Sequence, residues 1–451
     1  MANGNYVSAS IPVPDWKILK GKPYITVSAK GISNGLSNII NDGADFGPDT
    51  PGTITSGIQE AINYLVSLGY GGKMELMAGT FIVNQATPTY VLGNFASSVF
   101  TIPDTFAGTI EIVGQGTSNS DVVGSNATEI DCSGMPAFGT TGEAAVFSTP
   151  SGALPNGVFR IRDLAIFTPT NVGGILFITI NTFAAENIYI QHTHGSNYPT
   201  NPNTYGIRSN GWLNNSSWIN QVVVSGFIYG YVIDHSFFNA GILFAINCGS
   251  AVFLISGVNT NSVGGYIAFL SCAACTYGVE TSITGGTLNG PHLVISKYSM
   301  YIQSGHLPPQ YTYDFYNTSS PSYFPYIHVI DANVISSLGT SYAWQFPTYN
   351  DATGLIIDKV EGAQAPLIQG FSVTTPAFPS SGTAVKNTNP FPVRIYLLTL
   401  GGATAVSITD PSGTSKSLAA PAAGNEYTLD PGASITFTWS STSPTWLWYG
   451  V

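Results

Sequence analysis

Residues 42–83 read as an acidic, glycine-rich turn, one short amphipathic helix, a glycine stop and a strand. Ile54, Ile58, Ala61, Ile62 and Leu65 fall on one helical face. Ser56 and Gln59 have capping-box spacing at the start, and Gly69, Gly71 and Gly72 end the run, so a helix is expected near 54–68. For roughly 300 residues afterwards polar and apolar residues alternate in strand-length runs, with no second helix of comparable quality. This order restricts the chain to an all-β array that a single helix closes at one end, because an uncovered sheet edge is a liability.

The same segment carries a resemblance. Gly43-Ala44-Asp45, then Gly57-Ile58-Gln59-Glu60-Ala61-Ile62-Asn63, then the run from Gly69-Tyr70-Gly71-Gly72 to Gly79-Thr80-Phe81 resembles the entry of the pectate-lyase-like right-handed β-helix superfamily. Ile112-Val113-Gly114-Gln115-Gly116 and Ala127-Thr128-Glu129-Ile130 resemble its first rungs. Met77 departs from the pattern, where a proline is commoner, and beyond Asp131 only the general texture fits. The superfamily holds polysaccharide lyases, glycoside hydrolases and many virus and phage tailspikes. The resemblance implies a right-handed parallel β-helix (a solenoid), of about 11 rungs of roughly 25 residues over 85–370, stacked about 4.8 Å apart. It leaves the activity open.

Four regions follow. Residues 1–40, with candidate strands around 16–19 and 24–27, read as an N-terminal arm or base, and 41–370 as the helix-capped array. In it, strand runs recur at 109–113, 159–167, 174–180, 187–191, 219–224, 241–247, 251–255 and 266–270, with the uneven spacing of rungs that have one fixed corner and variable loops. Two polar, proline-broken excursions, 192–205 and 304–326, read as projecting loops, where binding groups commonly sit. Residues 371–390 are a Pro/Ser/Thr-rich linker. Residues 391–451 give six short strands divided by turn residues, a small β-sandwich-like module.

Charge narrows the function classes. Of 451 residues only 8% are Asp, Glu, Lys or Arg, far below the roughly 25% of ordinary domains. The net charge of −11 speaks against a nucleic-acid partner. No run is apolar enough to insert in a membrane, and the N-terminus has neither a basic nor an apolar leader region, so no secretory signal is expected. A surface of hydroxyls and amides changes little with pH and suits acid, where carboxylate pairs fail; many extracellular β-solenoids share it regardless of habitat. Four cysteines, Cys132, Cys248, Cys272 and Cys275, are too few for a disulfide framework and read as small apolar core residues. Asn126, Asn214, Asn215 and Asn317 begin glycosylation sequons, several of which chance explains in a chain so rich in Asn, Ser and Thr.

The lyases of this superfamily need a calcium-binding carboxylate cluster and its hydrolases paired carboxylates. No Asp-Asp, Asn-Thr-Asp, Gly-His-Gly or Arg-Ile-Lys motif is present. The remaining catalytic candidates are Asp234 with His235, which as strand neighbours point to opposite faces, and Asp358 with Glu361, which read as a solvated turn. His192 and His194 share a strand face as metal ligands can, without a visible third ligand. No cofactor is expected. Tyr198, Tyr205, Tyr311, Tyr313, Tyr316 and Tyr323 carry the chemistry that stacks on sugar rings or fills protein interfaces. Trp446, Trp448 and Tyr449 at the chain end are expected to pack on equivalent modules or on a neighbour.

The leading expectation is a virion-associated spike or fibre protein, extracellular on a virion surface, that recognises a host glycan or glycoprotein. The resemblance implies a homotrimer, and other virion proteins are expected partners. A secreted polysaccharide lyase or glycoside hydrolase, and a purely structural surface or capsid-lattice protein, are the alternatives.

Overall fold

The computed structural model describes residues 23–30, 44–50, 52–83, 91–92, 96–103, 106–117, 127–137, 143–148, 157–178, 182–192, 204–210, 216–234, 237–256, 264–283, 292–301, 313–317, 326–335, 355–361, 371–389 and 391–450. The fold is all-β, with one helix among the described residues.

Two long sheets arise by alternation. Val158–Thr168, Thr182–His192, Ser216–Ser225, Phe237–Ile246, Gly264–Ala273, His292–Tyr301 and Tyr326–Ile335 are successive neighbours in a 13-stranded main sheet. The strands between them in sequence, Gly173–Ile178, Tyr205–Asn210, Tyr229–Asp234, Ser250–Ser256, Tyr277–Ile283 and Tyr313–Asn317, are successive neighbours in a 9-stranded second sheet. All these neighbours pair in parallel. A parallel partner needs a crossover that returns to the same end, and here the strand in the other sheet is that crossover.

Alternation within each strand places one apolar set in the interior. Leu164, Ile188, Val222, Leu243, Leu270, Tyr298 and Ala332 stand directly in register across seven main-sheet strands, all buried. Each large member contributes about 1.5–3 kcal/mol by leaving water, and every rank supplies the floor of the next.

The corners also repeat. Asp163, Asn187 and Gln221 take the left-handed conformation at matching positions of consecutive main-sheet strands, and Asn187 Nδ2 donates to Asp163 Oδ1 at 2.9 Å. Three-residue corners 226–228, 247–249 and 274–276 link the sheets. Each opens on a left-handed residue, Gly226, Asn247 or Ala274, and buries its middle one, Phe227, Cys248 or Cys275. Gly226 N–H donates to the Ile246 carbonyl and Asn247 N–H to that of Ala273, stacking the corners. Cys132 and Cys272 are buried too, and none of the four thiols forms a disulfide.

The helix spans Ile58–Ser67 and buries Ile58, Ala61, Ile62 and Leu65 over the first strands. Its start differs from the sequence expectation. Gly57 is the N-cap at φ 83°, without a side-chain cap, and Ser56 Oγ donates instead to the Ile82 carbonyl. Glu60 accepts from the hydroxyls of Thr53 and Thr55. Ile54 precedes the helix and is exposed. A Cβ at Gly57 would lie 2.5 Å from Gly47 N, so only glycine suits this entry. Gln59 faces the adjoining strand: its Oε1 accepts from Thr101 N–H at 2.9 Å and its Nε2 donates to the Thr101 carbonyl at 3.1 Å.

Three region boundaries change. Tyr24–Val27, expected in an arm, pairs in parallel with Gly71–Leu76 and is the first strand of the main sheet; residues 16–19 lie outside the described residues. Tyr313–Asn317, expected in a projecting loop, pairs with Tyr277–Ile283. In the stretch expected as a linker, Phe371–Ser372 and Ala384–Lys386 are strands in two four-stranded antiparallel sheets. The six strands read from 391–451 supply the rest.

That last change accounts for Trp446 and Trp448, expected at an assembly surface. Both are buried in the core between these two sheets with Val393, Ile395, Leu397, Ile435 and Phe437. Phe378 packs 4.4 Å from the Trp446 ring, and Trp446 Nε1 donates to the Pro376 carbonyl at 2.8 Å. The proline-rich stretch is the cover that the six strands lacked. Tyr449 is half-buried on the opposite strand face, where Leu447 is exposed.

Candidate functional site

The outward face of the second sheet is the unusual surface. Inward positions of its strands are apolar core: Ile207, Tyr231, Ile233, Val252, Leu254, Val279 and Phe315. The alternate positions should meet water, yet Ala145, Leu176, Tyr205, Val232 and Phe253 form a second buried cluster there. Arg208, Val232, Phe253, Glu280 and Tyr316 occupy one register line across five strands.

Charged groups in such a place must be paired. Arg208 Nη2 meets Asp234 Oδ2 at 2.6 Å, with both side chains largely buried. The guanidinium lies 5.9 Å from the Tyr205 ring centroid. Tyr229 and Phe253 stack in parallel with centroids 4.2 Å apart, and Tyr277 and Tyr316 at 4.6 Å. Ser250 Oγ donates to Glu280 Oε2 in a short hydrogen bond. Burial raises the Glu280 carboxyl above its ordinary pKa, against the pull of that hydrogen bond. Burial likewise takes the Tyr229 phenol up to about 12; the Glu280 charge adds to the rise and the Arg208 charge opposes it. One cation, two carboxylates and a phenol thus share one face.

Asp234 is the sequence candidate that this arrangement takes in; His235 lies outside the described residues. Asp358 and Glu361 stand in the strand Leu355–Glu361, paired with Tyr326–Ile335, rather than in a turn. His192 is not placed as a metal ligand: its Nε2 accepts from Asn171 N–H at 3.2 Å and its ring packs edge-on to Phe227. Burial lowers its pKa to about 4. His194, Tyr198, Tyr311 and Tyr323 lie outside the described residues. Tyr205 is 1% exposed, which removes it from the surface set. Tyr313 pairs with Tyr277 in the ladder, and Tyr316 stacks on the Tyr277 ring. Among the described residues no three metal-ligating side chains converge.

Arg208, Tyr229, Ser250, Phe253 and Glu280 were not singled out from sequence. A repeat could have found them: Tyr205-Gly206-Ile207-Arg208, Tyr229-Gly230-Tyr231-Val232 and Tyr277-Gly278-Val279-Glu280 share the Tyr-Gly start, and the fourth position is the register line.

Comparison with known proteins finds no matching family model and no similar curated protein.

Proposed function

We propose that this chain is a right-handed parallel β-helix of the pectate-lyase-like kind, and that it acts as a virion-associated spike or fibre protein that recognises a host-surface glycan. The observation that carries the reading is the outward face of the main sheet, where Trp218 is 51% and Tyr266 42% exposed on a rigid parallel ladder. Such rings stack on the apolar face of a sugar, and uncharged amides and hydroxyls take its hydroxyl groups. Strands that alternate between two parallel sheets behind one covering helix support the β-helix part. The charge-poor sequence supports an extracellular, virion-surface setting. A homotrimer in contact with other virion proteins belongs to the same reading, with Tyr396, Leu447 and Tyr449 on the outward strand face as the surface for that contact. The test is a screen of the full chain against a panel of immobilised glycans and cell-wall preparations, with its mass measured in solution. Retention on a glycan by an oligomer is expected; a monomer that binds nothing on the panel refutes the reading.

A polysaccharide lyase or glycoside hydrolase is the second reading, favoured by the raised Glu280 carboxyl on the same outward face as the Arg208–Asp234 pair, three strands further along the register line. Release of reducing or unsaturated ends from a polysaccharide, abolished by Glu280→Gln, would establish it in place of simple binding.

A further inference from the structure

The outward face of the main sheet changes character along its length. In its first ranks it is ionic: Lys73 lies 5.5 Å from the Tyr24 ring centroid, and Arg162 pairs with Glu111 at 3.2 Å and Asp163 at 2.8 Å. Across Ser216–Ser225, Phe237–Ile246 and the first half of Gly264–Ala273 it is neutral and aromatic, and charge returns with Lys297 and Asp331 on the strands that follow. Trp218 stands directly in register with Asn239, and Asn239 with Tyr266. Adjacent strands lie about 4.8 Å apart, so the two ring-bearing positions are roughly 10 Å apart with one amide midway. Tyr266 OH shares a 2.7 Å hydrogen bond with Ser296 Oγ on the following strand. That bond ties the exposed phenol to its neighbouring strand.

We propose that Trp218, Asn239 and Tyr266 form a binding track for a neutral, extended glycan of equatorially linked pyranoses, running along the direction in which the strands stack. This rests on the glycan-recognition reading above and specifies its ligand. In an extended chain of this linkage alternate sugars present the same face, and the repeat of two sugars matches the ring-to-ring spacing. One sugar stacks on Trp218 and the next but one on Tyr266. The sugar between them is turned over and offers hydroxyls to the Asn239 amide. Charge complementarity selects the chain: the side chains at the track, Asn220, Asn239 and Ser296, are uncharged, and Glu186 is exposed beside its start. Cations stand outside it at both sides: Arg160, exposed two strands before Trp218, and Lys297, 6.0 Å from the Phe269 ring centroid. An anionic polysaccharide lying over Trp218, Asn239 and Tyr266 meets Glu186 at its edge and finds no cation among those three side chains.

The full chain is titrated by calorimetry with cellohexaose and chitohexaose, with maltohexaose and oligogalacturonate as bent and anionic controls. Binding of one or both extended neutral hexamers is expected, with the controls weaker by at least tenfold. Trp218→Ala and Tyr266→Ala should each weaken binding about tenfold, and Trp218→Tyr should recover most of the loss. The disaccharides cellobiose and chitobiose, too short to bridge both rings, should respond to only one of the two alanine changes. Both residues are exposed, and an unchanged melting temperature verifies folding. If the hexamers bind and both alanine variants bind equally well, the track is wrong while glycan recognition stands. If no neutral hexamer binds but another glycan or a cell wall does, this ligand class is wrong and the broader reading stands. If nothing binds, both fall.

Discussion

His192 gives the stability of this protein a pH direction. Its pKa drops from 6.5 to about 4 on folding, so between those values the unfolded chain holds the extra proton. Its contribution is complete above pH 6.5, is lost as pH falls towards 4, and is of order 3 kcal/mol. Glu280 has the opposite sign, since a carboxyl raised by burial destabilises the fold as pH rises through its folded value and is relieved in acid. A charge-poor surface therefore does not by itself make this chain acid-tolerant; one buried imidazole works against it. His192→Gln preserves an acceptor for Asn171 N–H and should flatten the fall in melting temperature from pH 6.5 to 4. Parallel melting curves for variant and parent would show that the imidazole does not control this limb. Arg208→Met tests a buried pair: it removes the 2.6 Å contact to Asp234 and should cost about 3–5 kcal/mol in denaturant titrations. Arg394→Met, which breaks the exposed 3.8 Å pair with Glu426, should cost under about 1 kcal/mol.

At the scale of elements, the entry to the helix is the most constrained joint. Gly57→Ala places a Cβ against Gly47 at positive φ and should destabilise the fold by about 2 kcal/mol, read as a lower thermal midpoint; an unchanged midpoint would mean that the joint yields. The strands and the helix were legible in the sequence because inward alternation leaves a signal that does not depend on neighbours. The helix start was not, because the Ser56–Gln59 spacing mimics a capping box while Thr53, Thr55 and Glu60 form the actual network. The candidate site was largely illegible. Its outward residues come from five strands separated by connections of unequal length, and only the register between strands brings Arg208, Val232, Phe253 and Glu280 into line. The two tryptophans misled for a related reason: their cover, Pro376 and Phe378, sits in a stretch whose composition reads as a linker.

For the whole molecule, the place where the chain can be cut has moved. Truncation after residue 370 removes both antiparallel sheets together and should leave a soluble protein with its parallel sheets intact by circular dichroism. Truncation after 390 strands Phe371–Ser372, Phe378 and Ala384–Lys386 without partners and should aggregate in light scattering; equal behaviour of the two would contradict the shared core. Within that unit Leu447→Asp should lower the solution mass without changing the melting temperature, if the outward face holds copies together, whereas Trp446→Ala should lower the melting temperature. The stacked corners carry a different kind of consequence. The segments 226–228, 247–249 and 274–276 keep one backbone path while their buried centre changes from phenylalanine to cysteine. A gene for such a chain can duplicate or lose one strand–corner–strand unit in a single recombination event and still encode matching surfaces above and below. Length, and with it the distance over which the protein reaches, is then free to vary between lineages while the corner chemistry stays fixed.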